Sequence, residues 1–91
     1  MNKTEEVEAV LRKHMNLHQP EFRLEDMGGR VGGSLVSSSF FGQGDLERQR
    51  SVWNALEREW GKEARSKVGM ILCYTPDEWN VDLEGFHHED E

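Results

Sequence analysis

The chain holds one cysteine, two prolines, no lysine or arginine after position 67, and no long apolar run. Cys73 alone excludes an intrachain disulfide, which fits a reducing compartment. The longest apolar stretch, 68–74, falls far short of the ~20 residues a membrane span needs. No basic-then-apolar segment opens the chain, so the expected location is the cytoplasm, with no membrane partner. Ninety-one residues leave no material for a second core. A single domain over 1–83 is expected, followed by an acidic tail, 84–91, expected to be disordered.

The loss of cations after Lys67 divides the charge. All eleven Lys and Arg, with eleven of the eighteen carboxylates, precede Thr75, and the other seven carboxylates carry the whole net charge of −7. Within 27–67, seven basic residues face five acidic ones. Whole-chain charge therefore disfavours nucleic acid, while the middle does not. Three Trp and four Phe are too many for a disordered chain, and 32 % charged residues too many for a membrane protein.

Periodicity supplies the elements. A first helix is expected from about Thr4, as N-cap, to Leu17, with Val7, Val10, Leu11 and Met15 forming one stripe before Pro20. Phe22 and Leu24 alternate with Arg23 and Glu25 as in a half-buried strand. The glycines at 28, 29, 32 and 33 supply the turn, and a second strand is expected over Leu35–Phe41. Asp45 is the expected N-cap of a second helix, Leu46 to about Trp60. Its seam is Leu46, Trp53, Leu56 and Trp60, with Val52 beside it; Gln49 falls within it, facing inward or at its margin, and Arg48 and Arg50 project to either side. A turn at Gly61 and a short helical piece lead to "VGMILCY", read as a strand buried on both faces. In "TPDEW", Thr75 caps, Pro76 suits the first helical position and Glu78 completes a capping box. The fold class is thus α/β in two layers, order α-β-β-α-α-β-α. A small three-stranded mixed sheet has helices on one face, its last strand parallel to the one it joins.

Chemistry-bearing motifs are few. "GGRVGG" lacks the Gly-Lys-Ser/Thr ending of a phosphate loop and joins two strands, so a hairpin is the better reading. His14 and His18 have metal-compatible spacing but no third partner, and solvent-exposed histidines are expected. The terminal "HHEDE" is not a designed metal site. Cys73, in an apolar strand, reads as a buried inert thiol. No nucleophile–base order, carboxylate pair or nucleotide fingerprint stands out, so no enzyme is expected.

"VSSSFFGQGDLERQRSVWNAL" and "YTPDEW" together resemble the BolA family, whose fold is similar to the type II KH domain. Val36, Ser37, Phe40, Gly42, Arg48, Arg50, Thr75, Glu78 and Trp79 carry the match, and the order of elements agrees over nearly the whole chain. The resemblance implies a non-enzymatic protein that pairs with monothiol glutaredoxins, shares a 2Fe–2S cluster with them, and takes part in stress response and transcriptional regulation. Cluster sharing needs thiolate or neutral imidazole. The family's histidine between two arginines is Gln49 here, the histidine opening the last strand corresponds to Lys67, and "MGGRVGGS" holds no His or Cys. No cofactor or metal ligation is therefore carried over.

The expectation is a cluster-free adaptor acting through a protein partner, glutaredoxin-like by resemblance. The alternative is a nucleic-acid-binding module on the basic face of the second helix. Either way the nominated binding residues are Arg48, Gln49, Arg50, Lys62 and Lys67. The acidic end would then compete for the basic face as an electrostatic shield.

Overall fold

A computed structural model describes residues 2–80; the acidic end at 84–91, with its "HHEDE" run, lies outside them. Helix α1 (Lys3–His14) is followed by β1 (Glu21–Asp26), β2 (Val31–Val36) and a 3₁₀ turn at Ser38–Phe40. Then come α2 (Asp45–Trp60), a second 3₁₀ turn at Gly61–Glu63, α3 (Ala64–Lys67) and β3 (Val68–Tyr74). Residues 76–80 are again helical. The sheet runs β1-β2-β3, antiparallel in the first pair and parallel in the second, so the expected mixed sheet and helical crossover are present. No described helix is long and apolar enough to cross a membrane.

Helix α1 begins earlier and ends sooner than periodicity suggests. Asn2, not Thr4, is the N-cap: its side chain accepts from the Glu5 amide while Glu5 reaches back to the Asn2 amide. The helix stops at His14, well before Pro20, because the backbone beyond it is held by serines. Ser37 Oγ donates to the His18 carbonyl at 2.9 Å. Ser39 Oγ accepts from the His18 amide at 2.8 Å and donates to the Asn16 carbonyl at 3.3 Å. The serine run that looks odd in a strand thus leaves the sheet after Val36 and clamps the α1–β1 connection.

The second strand begins at Val31 instead of Leu35, which places Gly32 and Gly33 inside the sheet. The hairpin is Met27–Arg30, closed by the Met27 amide on the Arg30 carbonyl at 2.7 Å. Gly28 and Gly29 take φ of 78° and 104°, the two successive positive angles a tight two-residue hairpin requires. Gly33 has φ 137° and sits where the β2–β3 register shifts, so it bends β2 between its two partners.

The core lies between the sheet and α1 and α2: Val7 and Leu11, Val31 and Leu35, Phe40, Val52 and Leu56, then Val68 and Ile71. The seam of α2 is rotated from the apolar count. Its buried residues are Arg48, Val52, Ala55 and Leu56, with Trp53 and Trp60 at the margin, while Leu46 is 64 % exposed. Gly44, with no side-chain cap, occupies the N-cap position expected for Asp45. Strand β3 is not buried on both faces. Met70 is 65 % and Leu72 45 % exposed, because α1 and α2 cover only the side of the sheet to which Ile71 and Cys73 point.

Candidate functional site

Arg48 is the centre of the α2–β3 junction. It does not project outward: it is 6 % exposed. Nε donates to the Gln43 carbonyl at 2.8 Å and Nη1 to the Cys73 carbonyl at 3.0 Å. Nη1 and Nη2 grip the two oxygens of Glu78 at 2.6 and 3.2 Å. The fork geometry of guanidinium meets a carboxylate on one side and two backbone acceptors on the other, which lysine could not match. Its hydrogen bond to Glu78 raises the Arg48 pKa against the effect of burial.

Glu78 serves two partners. It completes the capping box read from "TPDEW", accepting from the Thr75 amide at 2.9 Å while its own amide donates to Thr75 Oγ1 at 3.3 Å. The Arg48 hydrogen bond, then the Thr75 amide, draw its carboxyl down to about 2. A depressed carboxylate stabilises the fold above its unfolded pKa near 4.5 and loses that contribution as pH falls toward 2. Acid unfolding is thus expected to steepen between about pH 4.5 and 2, and Glu78→Gln to flatten that part of a pH series of urea midpoints. An unchanged profile would show that the pair is not coupled to folding.

Gln49, beside Arg48, is half-buried and donates from Nε2 to the Ile71 carbonyl at 2.7 Å. The Ser37 amide bonds the Tyr74 carbonyl at 2.9 Å, so that carbonyl faces β2. Strand alternation then turns the Ile71 and Cys73 carbonyls to the outer edge of β3. Arg48 and Gln49 therefore satisfy two successive edge acceptors from one helix. Between them and β3 runs a groove of about 340 Å³, lined by Asp45, Gln49, Met70, Leu72 and Tyr74 among others. A larger cleft of about 700 Å³ lies between the end of α1 and the far flank of α2, walled by Asn16, Ser39, Gln43 and Asn54. None of the expected binding residues lines it; its titratable lining is His14, Glu57 and Arg58, with His14 engaged by Glu59 at 3.0 Å.

The five nominated residues are not one surface. Arg48 and Gln49 face β3, and Arg50 is exposed on α2. Lys62 and Lys67 lie beyond the other end of that helix, about 16 Å further along its axis by a 1.5 Å rise per residue. Lys62 is exposed in the turn, and Lys67 Nζ stands 5.2 Å from the Trp60 ring centre. Two features escaped the sequence: Glu78 as the partner of Arg48, and the pairing of Trp53 and Trp60 with cations. The first had a signal in the "TPDEW" capping box, the second in two tryptophans seven residues apart.

The donor set does not fit an iron–sulfur cluster. Gln49 offers a neutral amide already engaged with Ile71, Lys67 an ammonium resting on an indole, and the β1–β2 turn a thioether at Met27. Among the described residues no group of three His, Cys, Asp or Glu could hold a metal ion. His14 is not the solvent-exposed histidine expected: it is half-buried, 3.0 Å from Glu59 Oε1, whereas His18 is exposed. Burial pushes the Cys73 thiol up to about 11, in keeping with an inert thiol.

No protein-family model matches the chain. No curated protein matches it either. Solved structures do. A bolA protein homologue from Coxiella burnetii is similar at 25 % identity with a TM-score of 0.63, over 88 % of this chain and 99 % of that one. A bol-like protein from Babesia bovis is similar at 27 % identity with a TM-score of 0.57, over 90 % and 94 %. The BolA domain of SufE1 from Arabidopsis thaliana shares the fold at 19 % identity with a TM-score of 0.60, over 86 % and 96 %. The resemblance carried by "VSSSFF…RQR" and "YTPDEW" thus extends to a fold shared over 86 to 90 % of the chain.

Proposed function

We propose that this chain, BolA-like in its fold and its motifs, is a non-enzymatic cytoplasmic adaptor that docks a protein partner over the outer edge of β3. The supporting observation is the exposure of Met70 and Leu72 beside the groove, with Leu46 one turn before Gln49 on the same flank of α2. Exposed apolar side chains gathered along one groove and rimmed by polar residues are what a protein interaction surface presents. Gln49 supplies a polar group at the groove wall that stays neutral across the physiological range, unlike the imidazole the family resemblance leads one to expect. A monothiol glutaredoxin is the partner that resemblance names. The chain contributes contact area to it and no iron ligand. On this reading Arg48 shapes the groove from within, and Arg50, Lys62 and Lys67 border or lie beyond it.

Titration of the full chain against a monothiol glutaredoxin tests both halves. Binding is expected to weaken at least tenfold in Leu72→Glu, with the visible spectrum of a cluster-loaded glutaredoxin unchanged by wild-type chain. Equal affinity of Leu72→Glu and wild type would move the interface elsewhere. A spectrum altered by the chain, and restored by substituting Lys67, would defeat the cluster-free reading.

A further inference from the structure

The outer flank of α2 and the segment after it carry a second arrangement. Trp53 and Trp60 stand seven residues apart, about two turns, so both indoles lie on one flank roughly 10 Å apart along the axis. Each packs one side against the core and bears a cation on the ring. The Arg65 guanidinium carbon is 4.9 Å from the Trp53 ring centre, and Lys67 Nζ is 5.2 Å from that of Trp60. Arg50 is exposed one turn before Trp53, and Lys62 is exposed just after Trp60.

Three other cations sit on aromatic rings, and they differ in one respect. Arg12, over Phe22, is paired with Glu8 at 3.0 Å, Arg23, over Trp79, with Glu21 at 2.6 Å, and Arg48, over Phe40, with Glu78 at 2.6 Å. Their charge is answered locally. Arg65 reaches Glu57 only at 3.9 Å, and Lys67 has no ion-pair partner among the described residues. This flank therefore presents two flat apolar faces under cations whose charge is weakly answered.

We propose that the flank binds single-stranded nucleic acid, with bases stacked on Trp53 and Trp60 and phosphates held by Arg50, Lys62, Arg65 and Lys67. An indole face attracts a cation or a nucleobase, so an arriving base displaces a resting side chain. Lysine and arginine are long enough to swing from the ring to an adjacent phosphate, which replaces a contact instead of breaking one. In a duplex the bases are already stacked on each other and only phosphate is offered, so single strands are preferred. The surface differs from the β3 groove, and the inference does not rest on the adaptor reading. It also differs from the basic face expected from sequence, since Arg48 is inside the protein and the aromatic rings join the site.

The test is quenching of tryptophan fluorescence in the full chain by oligothymidylate and oligouridylate, with a duplex of equal length and heparin as comparisons. Single strands are expected to quench at low salt. The logarithm of affinity should fall with the logarithm of salt at a slope of about −3, from roughly 0.7 per phosphate contact and four contacts. Trp79→Phe should leave quenching in place, Trp60→Ala should weaken binding roughly tenfold, and Trp60→Phe, which keeps a ring in the core margin, should recover most of the loss. Arg65→Ala, fully at the surface, should weaken binding without touching the core. Absence of quenching at low salt overturns the proposal. So does equal affinity for duplex or heparin, or binding indifferent to both Trp60→Ala and Arg65→Ala.

Discussion

Arg48→Ala is expected to cost about 3 kcal/mol and to lower the melting temperature by more than about 10 °C. The guanidinium is buried, and its removal leaves the Cys73 carbonyl without the donor it has in the native fold. A buried acceptor deprived of its partner carries about 1–3 kcal/mol, and the Gln43 carbonyl adds a smaller share. The Glu78 contribution is discounted, because that side chain is 48 % exposed and can return to water. Arg48→Lys keeps the charge but reaches fewer acceptors at once, so an intermediate loss is expected. Arg50→Ala, one residue along and exposed, should stay within about 0.5 kcal/mol of wild type. Urea denaturation of the three variants settles the matter, and coincident curves for Arg48→Ala and Arg50→Ala would contradict the burial of Arg48. A binding defect in Arg48→Ala would report a damaged fold before a lost contact.

Gly33→Ala should be the more damaging change. A Cβ there would stand 2.1 Å from the Arg23 carbonyl oxygen and 3.0 Å from Leu24 Cα, at a φ of 137° that L side chains rarely adopt. Backbone cannot yield as a side chain can, so β1 must separate from β2 where Leu24 pairs with Gly33. An expected cost above about 4 kcal/mol approaches the whole stability of a small domain. Gly32→Ala meets Met27 Sδ at 2.8 Å and the Met70 carbonyl at 3.1 Å, and the exposed methionine can move aside for the first. Gly69→Ala meets nothing nearer than 3.9 Å and should be neutral or slightly stabilising. Soluble yield and amide dispersion in NMR spectra rank the three. A well-folded Gly33→Ala with near-native melting would refute the close approach of β1 and β2.

Much of the architecture is legible because it follows from period and punctuation. "VGMILCY" is too short for a helix, Thr75, Pro76 and Glu78 announce a helix start, and the crossover fixes a parallel pair. The errors come from interactions that span the chain. Apolar counting placed Leu46 in the seam of α2 because it gives no weight to an arginine whose burial depends on Glu78, thirty residues on. Local chemistry could not say which of four glycines turn and which lie in a strand, since Gly33 is defined by the approach of Arg23 across the sheet. The end of β2 at Val36 instead of Phe41 has the same origin: Ser37 and Ser39 turn to backbone groups of Asn16 and His18, far off in sequence. The binding residues were named by charge, and charge alone does not distinguish Arg48 inside from Arg50 outside.

The Cys73 and Ile71 carbonyls, at the outer edge of β3, accept from Arg48 and Gln49. An outermost strand with idle acceptors is a template on which a second copy can lay its own strand and start a growing fibril. Two side chains from a neighbouring helix deny that template at alternate rungs while leaving the methionine and leucine beside it free for a legitimate visitor. A variant stripped of both loses stability and, in addition, leaves that row of acceptors open to its siblings.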